Sequence, residues 1–575
     1  MTKTTAMRKR WTRIGGAFAA IGIISATEAQ AADGQAKATP DRPNIIFILA
    51  DDLGYGDLSC YGSRFVKTPN IDNLARTGTS FTQSYAGSGI SSPSRCALMT
   101  GKNTGKTTIR DNQCTAGGIR GVKVSPAGDT TYIRRANLLP SDTTVATVLS
   151  AAGYRTCLVN KWHLDGYDPM AAPNHRGFHE FYGWTISTVE SNSPYYYPYY
   201  RFHGDSLIHI DANAHDAHVR HNTDISTDDA LAFIDRNRER PFFLYLAYDA
   251  PHEPYVIDDT SWYDDRSDWT MNTKRYASLI THMDKAIGRL LSHLDSIGLR
   301  ENTMVIFASD NGAAVQAPLK ELGCNAGFNG RKGMLYEGGI RVPFIVNQPG
   351  KVPVQKLDNI IYFPDVMPTL AALAGGEASL PQGIDGMNIL PLFYGRQVDT
   401  DNRLLYWEFP GKQRAARRGD WKCVTVKKNK PLELYNLKDD PGERHNLAAE
   451  HPDMVERLDD ALAHYAAVIR KQLGREAETV PGAGAAGGLG AGFLAFTEAS
   501  MRSGVDLVIE ATGLAGLAAG ADYCFTGEGG IDFQTQYGKT PMGVARAVKQ
   551  ASPYCTVVAL AGSIGEGIDQ LYDLG

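Results

Sequence analysis

Several features are missing from this sequence of 575 residues, and each absence excludes a class of protein. Its eight cysteines include no pair at the two-residue spacing typical of zinc sites, so a structural zinc site is not indicated. No long basic run accompanies the formal net charge of −5, and nucleic acid is therefore not expected as a partner. Beyond the N-terminal region no apolar segment is long enough to cross a bilayer, so no transmembrane anchor is expected.

An export signal is predicted over residues 1–31. Basic residues 8–10 precede an apolar stretch at 14–26, and Ala29-Gln30-Ala31 has the small side chains of a cleavage site. The apolar stretch is shorter than the roughly 20 residues that a membrane-spanning helix needs, which argues against an uncleaved anchor. We therefore expect a periplasmic or secreted chain that begins near Ala32. Export permits disulfides, but the sequence does not pair the cysteines.

Four short apolar segments stop abruptly at charged, amide or imidazole side chains. They are residues 43–52, 153–164, 241–254 and 303–312. Helical patterns lie between them, the clearest at 274–299, where apolar residues fall on one face and Gly298 is a candidate C-cap. Continuous apolar strands that alternate with helices predict an α/β fold with a mainly parallel sheet buried on both faces.

The polar residues at these strand ends predict a binding site, because parallel sheets bind ligands outside the carboxyl ends of their strands. Hard oxygen ligands that suit Ca²⁺ or Mg²⁺ better than zinc come from Asp51, Asp52, Asp310 and Asn311. Cationic or imidazole groups are supplied by Arg95, Lys161, His163, His252 and Lys332. Each residue alone could be a turn former or a surface charge. Together they describe a site for a sulfate or phosphate ester.

The segment 87–105 places a hydroxyl beside this expected anion site. Pro93 suits the first turn of a helix, and Ser91 or Ser92 suits the N-cap before it. The N-terminus of a helix directs backbone N–H groups and a positive dipole end at an anion. An ordinary serine-capped helix is the alternative.

The run Ser91-Ser92-Pro93-Ser94-Arg95-Cys96-Ala97-Leu98-Met99-Thr100-Gly101 resembles the signature of the type I sulfatases, arylsulfatase-type enzymes of the alkaline phosphatase superfamily. In that family the first residue, Cys or Ser, is oxidised to formylglycine. Further motifs of the family follow in matching order at residues 50–56, 161–164, 250–252, 309–312 and 332–343. The resemblance covers about residues 43–470. It implies an alkaline-phosphatase-like sheet sandwiched by helices, a smaller C-terminal α+β subdomain, and hydrolysis of sulfuric esters of aryl alcohols or carbohydrates.

The resemblance also implies roles for individual residues. One divalent cation, usually Ca²⁺, would be bound by Asp51, Asp52, Ser91, Asp310 and Asn311. Formylglycine at position 91 would be hydrated, attack sulfur, and then expel sulfate as the aldehyde re-forms. The catalytic residues would be Ser91, Arg95, Lys161, His163, His252 and Lys332. Among them, Arg95 and His163 would hold the hydrated aldehyde, Lys161 and Lys332 would grip sulfate, and His252 would protonate the departing alcohol.

The chain departs from the family pattern at two positions, and the first affects the expected maturation enzyme. Position 91 is Ser rather than the commoner Cys, which implies a radical, serine-type maturation enzyme that acts before export. Asn160 stands where many relatives have Gly, which alters the local turn but leaves Lys161 and His163 in place. The expected substrate is a sulfated small molecule or glycan.

The C-terminal region resembles a different family. After Glu478 the composition shifts to Gly and Ala, and residues 526–529, 537–541 and 559–563 resemble motifs of glycerate kinases. The predicted domains are therefore a signal peptide at 1–31, a sulfatase catalytic domain at 32–395, its C-terminal subdomain at 396–475, and a kinase-like α/β fragment at 476–575. Kinase activity is not expected, because only a late portion of that family is present and Gly530 replaces its usual arginine. A fused or misassembled reading frame and an engineered join both stay open.

Two other functions stay open at this point. One is a phosphate or phosphonate ester hydrolase that uses unmodified Ser91, and the other is a noncatalytic binder of sulfated glycans. The tyrosines at 195–200 could stack on a sugar or pack within a loop. The irregular spacing of nearby histidines favours an exposed polar loop over a metal site; they are His209, His215, His218 and His221.

Overall fold

The structure, a computed structural model, describes residues 42–112, 119–124, 130–166, 168–185, 195–314, 317–409, 413–425, 431–458, 514–531 and 540–564. The predicted signal peptide and the Gly/Ala-rich start of the C-terminal region lie outside these residues. Residues 452–458 form the described part of a further helix.

The strands, in chain order, are β1 (Asn44–Ala50), β2 (Thr79–Tyr85), β3 (Ile119–Val124), β4 (Thr130–Arg135), β5 (Arg155–Lys161), β6 (Glu180–Trp184), β7 (Tyr200–His203), β8 (Ser206–His209), β9 (Phe242–Ala247), β10 (Thr303–Ser309), β11 (Phe344–Asn347), β12 (Gln355–Tyr362), β13 (Leu404–Phe409), β14 (Gln413–Arg418), β15 (Trp421–Thr425), β16 (Glu433–Asn436), β17 (Tyr523–Ile531) and β18 (Thr556–Ile564). The helices are α1 (Pro69–Arg76), α2 (Ser91–Thr100), α3 (Val145–Ala151), α4 (Asn222–Arg236), α5 (Met271–Ser296), α6 (Leu319–Leu322), α7 (Glu337–Ile340), α8 (Val366–Ala374), α9 (Leu390–Phe393), α10 (Leu514–Ala518) and α11 (Thr540–Ala551).

A ten-stranded sheet forms the centre of the fold, in the order β12-β2-β11-β10-β1-β9-β5-β6-β7-β8. Its five middle strands, β10, β1, β9, β5 and β6, are parallel to one another. Antiparallel pairs join this parallel block to β11 and β7 at its two sides. The prediction of a mainly parallel sheet is confirmed.

Both faces of the sheet are buried at its central strands β1, β9 and β10, as the apolar strands predicted. In β1, Ile46 and Ile48 belong to one core, whereas Ile45, Phe47 and Leu49 belong to the other, because successive side chains point to opposite faces. The first core is covered by helices α1, α4 and α5. The second is covered by α2, α3 and α8.

Helix α5 matches the periodic segment predicted at 274–299. Its apolar face is buried, and Thr270 caps its N-terminus by accepting a hydrogen bond from the backbone N–H of Thr273. At the C-terminus Gly298 adopts a left-handed φ of 71°. The backbone N–H of Leu299 then donates to the carbonyl of Leu294 at 2.9 Å, which completes a Schellman motif.

A separate four-stranded antiparallel sheet, β13-β14-β15-β16, forms the predicted smaller C-terminal subdomain.

A buried group of charges, which we call the linking cluster, connects this sheet to α7. The Nζ of Lys422 lies 2.8 Å from carboxylate oxygens of both Glu337 and Glu443. Arg341 and the hydroxyl of Tyr85 bind the other oxygen of Glu337.

The loop after β10 packs closely against α7. A Cβ atom at Gly312 would lie 1.9 Å from the carbonyl oxygen of Gly338, so no larger residue fits without backbone movement. The backbone N–H of Gly312 also donates to the carbonyl of Gly339 at 2.9 Å. This contact joins the strand-end region to the helix that carries the linking cluster.

In the C-terminal region β17 and β18 are parallel neighbours, and α11 lies between them in the chain. This strand–helix–strand unit is the α/β architecture predicted for the kinase-like fragment. Within the part of the chain that the structure describes, no helix is both long enough and apolar enough to traverse a membrane. The cysteines within them are free thiols.

Candidate active site

The predicted site residues converge at one edge of the large sheet. Asp51 and Asp52 follow β1, Asp310 and Asn311 follow β10, and Lys161 ends β5. These strands, with β9 between β1 and β5, are adjacent and parallel, so their carboxyl ends meet. The sheet thus assembles residues that lie far apart in the chain.

Ser91 lies within this group, although its place in the helix differs from the prediction. Ser91 is the first residue of α2 and Ile90 is the N-cap, so neither Ser91 nor Ser92 caps the helix. The reason is that the Ser91 hydroxyl binds other partners, 3.2 Å from Asp51 Oδ1 and 3.3 Å from Asn311 Oδ1. The side chain is buried, and Pro93 does lie in the first turn as expected.

Oxygen atoms suited to a hard cation surround Ser91. The side-chain amide of Asn311 donates to Asp52 Oδ1 at 2.8 Å, and the backbone N–H of Asp52 donates to Asp310 Oδ1 at 3.1 Å. Potential ligand atoms of Asp51, Asp52 and His252 all lie within 4.8 Å of one another. The carboxylates of Asp51, Asp52 and Asp310 are fully buried. This donor set fits a divalent cation, since buried carboxylates are stable when they are paired or bind a metal.

Each carboxylate also contacts a cationic side chain. The guanidinium of Arg95 lies 2.8 Å from Asp310 Oδ2, and the Nζ of Lys161 donates to Asp51. The Nζ of Lys332 lies 2.5 Å from Asp52 Oδ2 and 3.2 Å from His252 Nε2. Three carboxylates and three cations therefore form one buried, charge-balanced group, which we call the catalytic cluster: Asp51, Asp52, Asp310, Arg95, Lys161 and Lys332.

The protonation states follow from burial and from these pairs. Burial raises the pKa of Asp51, but Lys161, His252 and Arg95 outweigh it and lower that pKa to about 2. Burial lowers the pKa of Lys161 despite the neighbouring Asp51. The pKa of Lys332 is raised because Asp52 overcomes the effect of burial. Burial also lowers the pKa of His252, which leaves a neutral imidazole at neutral pH.

Aromatic side chains form one wall of the site, and sequence reasoning missed part of it. The ring of Tyr195 stacks on His252 with centroids 5.1 Å apart and planes 3° apart. Trp184 packs edge-on against Tyr195, and Lys161 Nζ lies 5.6 Å from the centroid of the Trp184 ring. His163 follows β5, half-buried, with its ring centroid 6.3 Å from that of Trp184. Only the tyrosine run signalled this wall in the sequence.

Asp249 is a second residue that sequence reasoning missed. It is buried just beyond β9, where it accepts hydrogen bonds from Trp184 Nε1 at 3.0 Å and from the amide of Asn222. Burial raises the pKa of Asp249 to about 6. The same Asn222 amide donates to Asn160, whose φ is 80°, so the asparagine that replaces glycine adopts the left-handed conformation. In the sequence, the signal for Asp249 was its position shortly after the apolar strand β9.

Known families match most of the chain. The model of the Sulfatase family matches residues 43–376, which is more than half of the sequence. The chain belongs to the sulfatase family. A second model, N-sulphoglucosamine sulphohydrolase, C-terminal, matches residues 326–468. The predicted family and the predicted sulfuric ester hydrolase are confirmed.

Relatives of this sulfatase share most of its length. Arylsulfatase A of Homo sapiens is 32% identical over 476 residues, covering 74% of this chain and 88% of the relative. An N-acetylgalactosamine-6-O-sulfatase of Bacteroides thetaiotaomicron is 29% identical, covering 73% and 92%. The crystal structure of Ps i-CgsB in complex with k-i-k-neocarrahexaose superposes with a TM-score of 0.63 at 29% identity, covering 74% and 93%. The sulfatase fold predicted from the motifs is confirmed.

The C-terminal region of the sulfatase matches a second family. Residues 450–575 match the model of the Glycerate kinase family, as the motifs predicted. Among solved structures, a phosphonate monoester hydrolase of Agrobacterium radiobacter shares the fold at 19% identity and a TM-score of 0.51. That likeness concerns the fold alone.

Proposed function

We propose that this sulfatase hydrolyses carbohydrate sulfates to alcohol and inorganic sulfate, with Ser91 oxidised to formylglycine and one Ca²⁺ bound beside it. One observation carries the proposal. The Ser91 side chain lies at a helix N-terminus, within 3.3 Å of two buried oxygens of the expected metal ligands. Names of relatives support the substrate class, because an N-acetylgalactosamine-6-O-sulfatase and a complex with a carrahexaose are among them.

The charges of the site support an anionic substrate. Within the catalytic cluster, three carboxylates and three cations balance one another. A divalent cation held by Asp51, Asp52, Asp310 and Asn311 would leave two positive charges, which favours binding of a sulfate ester, whose sulfate group carries one negative charge. Bound there, the cation would polarise a sulfate oxygen.

Side chains of this chain supply the remaining chemistry. Oxidised Ser91, once hydrated, provides the nucleophile for sulfur, with Arg95 and His163 to orient it. Lys161 and Lys332 stabilise the charge that develops on the sulfate oxygens. His252 is neutral at neutral pH and its Nε2 lies 3.2 Å from Lys332 Nζ, so it would take from Lys332 the proton that it passes to the departing alcohol oxygen.

We further propose that the sugar occupies a cavity of about 410 Å³ beside β5 and β6. Two residues that line the cavity are close in the chain to site residues, since Asp165 lies two residues after His163 and Thr185 follows Trp184. Apolar ring faces come from Phe181 and Phe202, which suit the C–H face of a sugar. Carboxylates also line it and would accept hydrogen bonds from sugar hydroxyls while repelling a second sulfate group: Asp165, Asp168 and Asp205.

The test combines mass spectrometry with a substrate screen. The peptide that contains Ser91 should lack two hydrogens when the chain is made in its native host or together with a serine-type radical maturation enzyme. That preparation should release sulfate from defined sulfated sugars, and faster from monosulfated than from disulfated ones. An unmodified peptide with phosphate or phosphonate ester hydrolysis would instead support the alternative that uses unmodified Ser91. Tight binding without turnover would support the noncatalytic binder.

Export and domain division are also proposals. We expect N-terminal sequencing of the periplasmic or secreted protein to begin near Ala32. Limited proteolysis should cut between the sulfatase portion, with its domains at 32–395 and 396–475, and the fragment at 476–575. Truncation after Glu478 should leave sulfate release intact, and the full chain should show no glycerate phosphorylation.

A further inference from the structure

Consecutive tyrosines in the run that follows β6 stack on histidines. Tyr196 stacks on His221 with ring centroids 5.1 Å apart, and Tyr197 stacks on His218 at 4.1 Å. His221 is buried and also packs edge-on against His282 of α5 at 4.8 Å. The expectation of an exposed polar loop is therefore wrong for His221, because it overlooked these ring contacts. They hold the tyrosine segment in place next to the active site.

Tyr195 differs from its neighbours because the histidine beneath it is His252, the proposed proton donor. The two rings are almost parallel, with planes 3° apart and centroids 5.1 Å apart. The face of Tyr195 that covers His252 is therefore not available to a sugar. This contact calls for a different role, one that concerns the orientation of the imidazole.

The orientation of the His252 ring decides where its two nitrogens lie. Its Nδ1 is within hydrogen-bonding distance of the backbone carbonyl of Glu253. A carbonyl only accepts, so Nδ1 carries the hydrogen, and the lone pair of Nε2 faces Lys332 Nζ at 3.2 Å. The proposed proton transfer needs Nε2 within reach of both Lys332 and the leaving oxygen. Rotation of the ring about its Cβ–Cγ bond would move Nε2 away from both.

The backbone of His252 is fixed by hydrogen bonds that leave this rotation free. The N–H of His252 donates to the carbonyl of Asp249 at 2.7 Å. The hydroxyl of Tyr196 donates to the carbonyl of His252, also at 2.7 Å. The terminal torsion of a histidine side chain has broad minima, so the imidazole needs support from its surroundings. Tyr195 provides a flat surface against one face of the ring.

Tyr195 is itself supported by buried groups behind it. Trp184 packs edge-on against it, with centroids 5.2 Å apart and planes 70° apart. The indole N–H of Trp184 donates to the buried carboxylate of Asp249 at 3.0 Å. Asp249 also accepts from the amide of Asn222, the first residue of α4. The stack is thus backed by β6, by the end of β9 and by a helix.

We propose that Tyr195 is a positioning residue: its ring, supported by Trp184 and Asp249, holds the imidazole of His252 in the orientation that proton transfer to the leaving alcohol requires. This role rests on the proposed hydrolysis of sulfate esters and adds a residue to it. A purely structural tyrosine would contribute to folding and would have no effect that depends on the leaving alcohol.

The experiment compares two substrates that differ in their need for a proton. A sugar hydroxyl must be protonated as it leaves, whereas the nitrophenolate of 4-nitrophenyl sulfate leaves as a stable anion. Tyr195→Leu should lower kcat on a monosulfated sugar about 10- to 100-fold, the loss expected when a catalytic group is misplaced by about 1 Å. Its kcat on 4-nitrophenyl sulfate should fall by no more than a few-fold. All values are taken per folded molecule with formylglycine at position 91.

Three further variants complete the comparison. Tyr195→Phe keeps the stacked ring and should restore most of the turnover on the sugar sulfate. His252→Gln should show the same dependence on the leaving alcohol as Tyr195→Leu, and a larger loss. The matched control is Tyr197→Leu, which removes a similar stack, on His218, from the same segment. This control should not favour one substrate over the other.

A spectroscopic measurement reports the orientation without turnover. In the full chain with ¹³C-labelled histidine, the ring signal of His252 is identified by its loss in His252→Gln. The ring current of a stacked tyrosine shifts this signal upfield. Tyr195→Leu should therefore move it downfield, and Tyr195→Phe should leave it nearly unchanged.

Three results would overturn the proposal. They are equal losses on the two substrates in Tyr195→Leu, the same dependence on the leaving alcohol in Tyr197→Leu, or an unmoved His252 signal in Tyr195→Leu. Failure of the proposed function looks different, because the unaltered chain would then release sulfate from neither substrate. The histidine spectra would still decide whether Tyr195 orients the ring.

Discussion

Two buried charge clusters of similar composition do different things in this molecule. In the catalytic cluster, Lys161, His252 and Arg95 outweigh burial and lower the pKa of Asp51 to about 2. In the linking cluster, Lys422, Arg341 and Arg417 outweigh burial and lower the pKa of Glu337 to about 2. Both carboxylates are fully buried, and the pKa of each is lowered to about 2. A perturbed pKa therefore does not by itself identify an active site.

The two clusters differ in where they lie in the fold. The carboxylates of the catalytic cluster follow parallel strands and lie beside Ser91 at the N-terminus of α2. Those of the linking cluster join α7 to the C-terminal sheet, where Glu443 also accepts from the backbone N–H of Glu337 at 2.7 Å. The first arrangement presents charge to a ligand, and the second bonds one part of the protein to another.

The largest contrast should come from Ser91→Ala. It removes the proposed nucleophile without touching the linking cluster, so we expect sulfate release to fall at least about 10³-fold while the unfolding midpoint stays unchanged. Turnover and urea unfolding, measured on one preparation, test the expected loss of sulfate release and the expected unchanged unfolding midpoint. Ser92→Ala is the matched control, and retained turnover in Ser91→Ala would contradict the assignment.

Lys422→Met should show the reverse pattern. Removing this cation leaves Glu337 and Glu443 buried without their shared partner, which should lower the free energy of unfolding by about 3–5 kcal/mol. Turnover per folded molecule should stay within a few-fold. Urea unfolding checks this, with exposed Lys438→Met as the control. An equally stable Lys422→Met chain would show that the linking cluster does not hold the two parts together.

Asp57 is a third kind of buried carboxylate, because it contacts the hydroxyl of Tyr276 and the backbone N–H of Gly54 rather than a cation. Burial raises its pKa to about 7. Its contribution to stability is thus full below its unfolded pKa and is lost as pH rises through about 7. The loss should reach about 4 kcal/mol.

Urea midpoints between pH 5 and pH 8 measure the part of this loss, about 3 kcal/mol, that falls above pH 5. Asp57→Asn mimics the protonated carboxyl, so it should be less sensitive to pH than the unaltered chain over that range. Identical pH profiles for the two chains would show that Asp57 is ionised throughout.

Calcium should stabilise one cluster only. At about 100 times its dissociation constant a bound ion adds about 2.7 kcal/mol to the free energy of unfolding. Thermal unfolding with Ca²⁺ and with a chelator should show this shift in the unaltered chain and in Lys422→Met. Asp51→Asn should lose it. A calcium shift that survives in Asp51→Asn would place the ion elsewhere.

The smallest effect concerns the backbone next to Lys161. Asn160 adopts a φ of 80°, a conformation that costs residues with a Cβ about 1–2 kcal/mol. Asn160→Ala and Asn160→Gly both lose the hydrogen bond from Asn222, so their difference in unfolding free energy isolates this cost. Asn160→Gly should be the more stable of the two, and equal stability would rule out backbone strain.

Much of the fold could be predicted because its signals are local. The apolar face of α5, its Gly298 terminus and the polar ends of β1 and β10 follow from periodicity and neighbouring residues alone. The family motifs supplied the order of the site residues. Geometry then showed that Asp51, Asp52, Asp310 and Asn311 do meet beside Ser91.

What could not be predicted depends on contacts between distant segments. Ser91 was expected to cap α2, but its hydroxyl binds Asn311, which lies 220 residues away. Glu337 and Lys422 are separated by 85 residues, and His221 meets its partner His282 only when α4 and α5 pack. The number of residues between two positions does not show whether their side chains are in contact.

The close packing of Gly312 against Gly338 makes the two clusters mechanically dependent. With no side chain at either position, the peptide after Asn311 lies directly on the helix that carries Glu337, and nothing compressible separates them. A single methyl group introduced there would displace both the amide of Asn311, a proposed metal ligand, and the carboxylate of Glu337, which joins α7 to the C-terminal sheet. This contact should therefore tolerate far less variation than the rim of the proposed sugar cavity, where substitutions would disturb neither group.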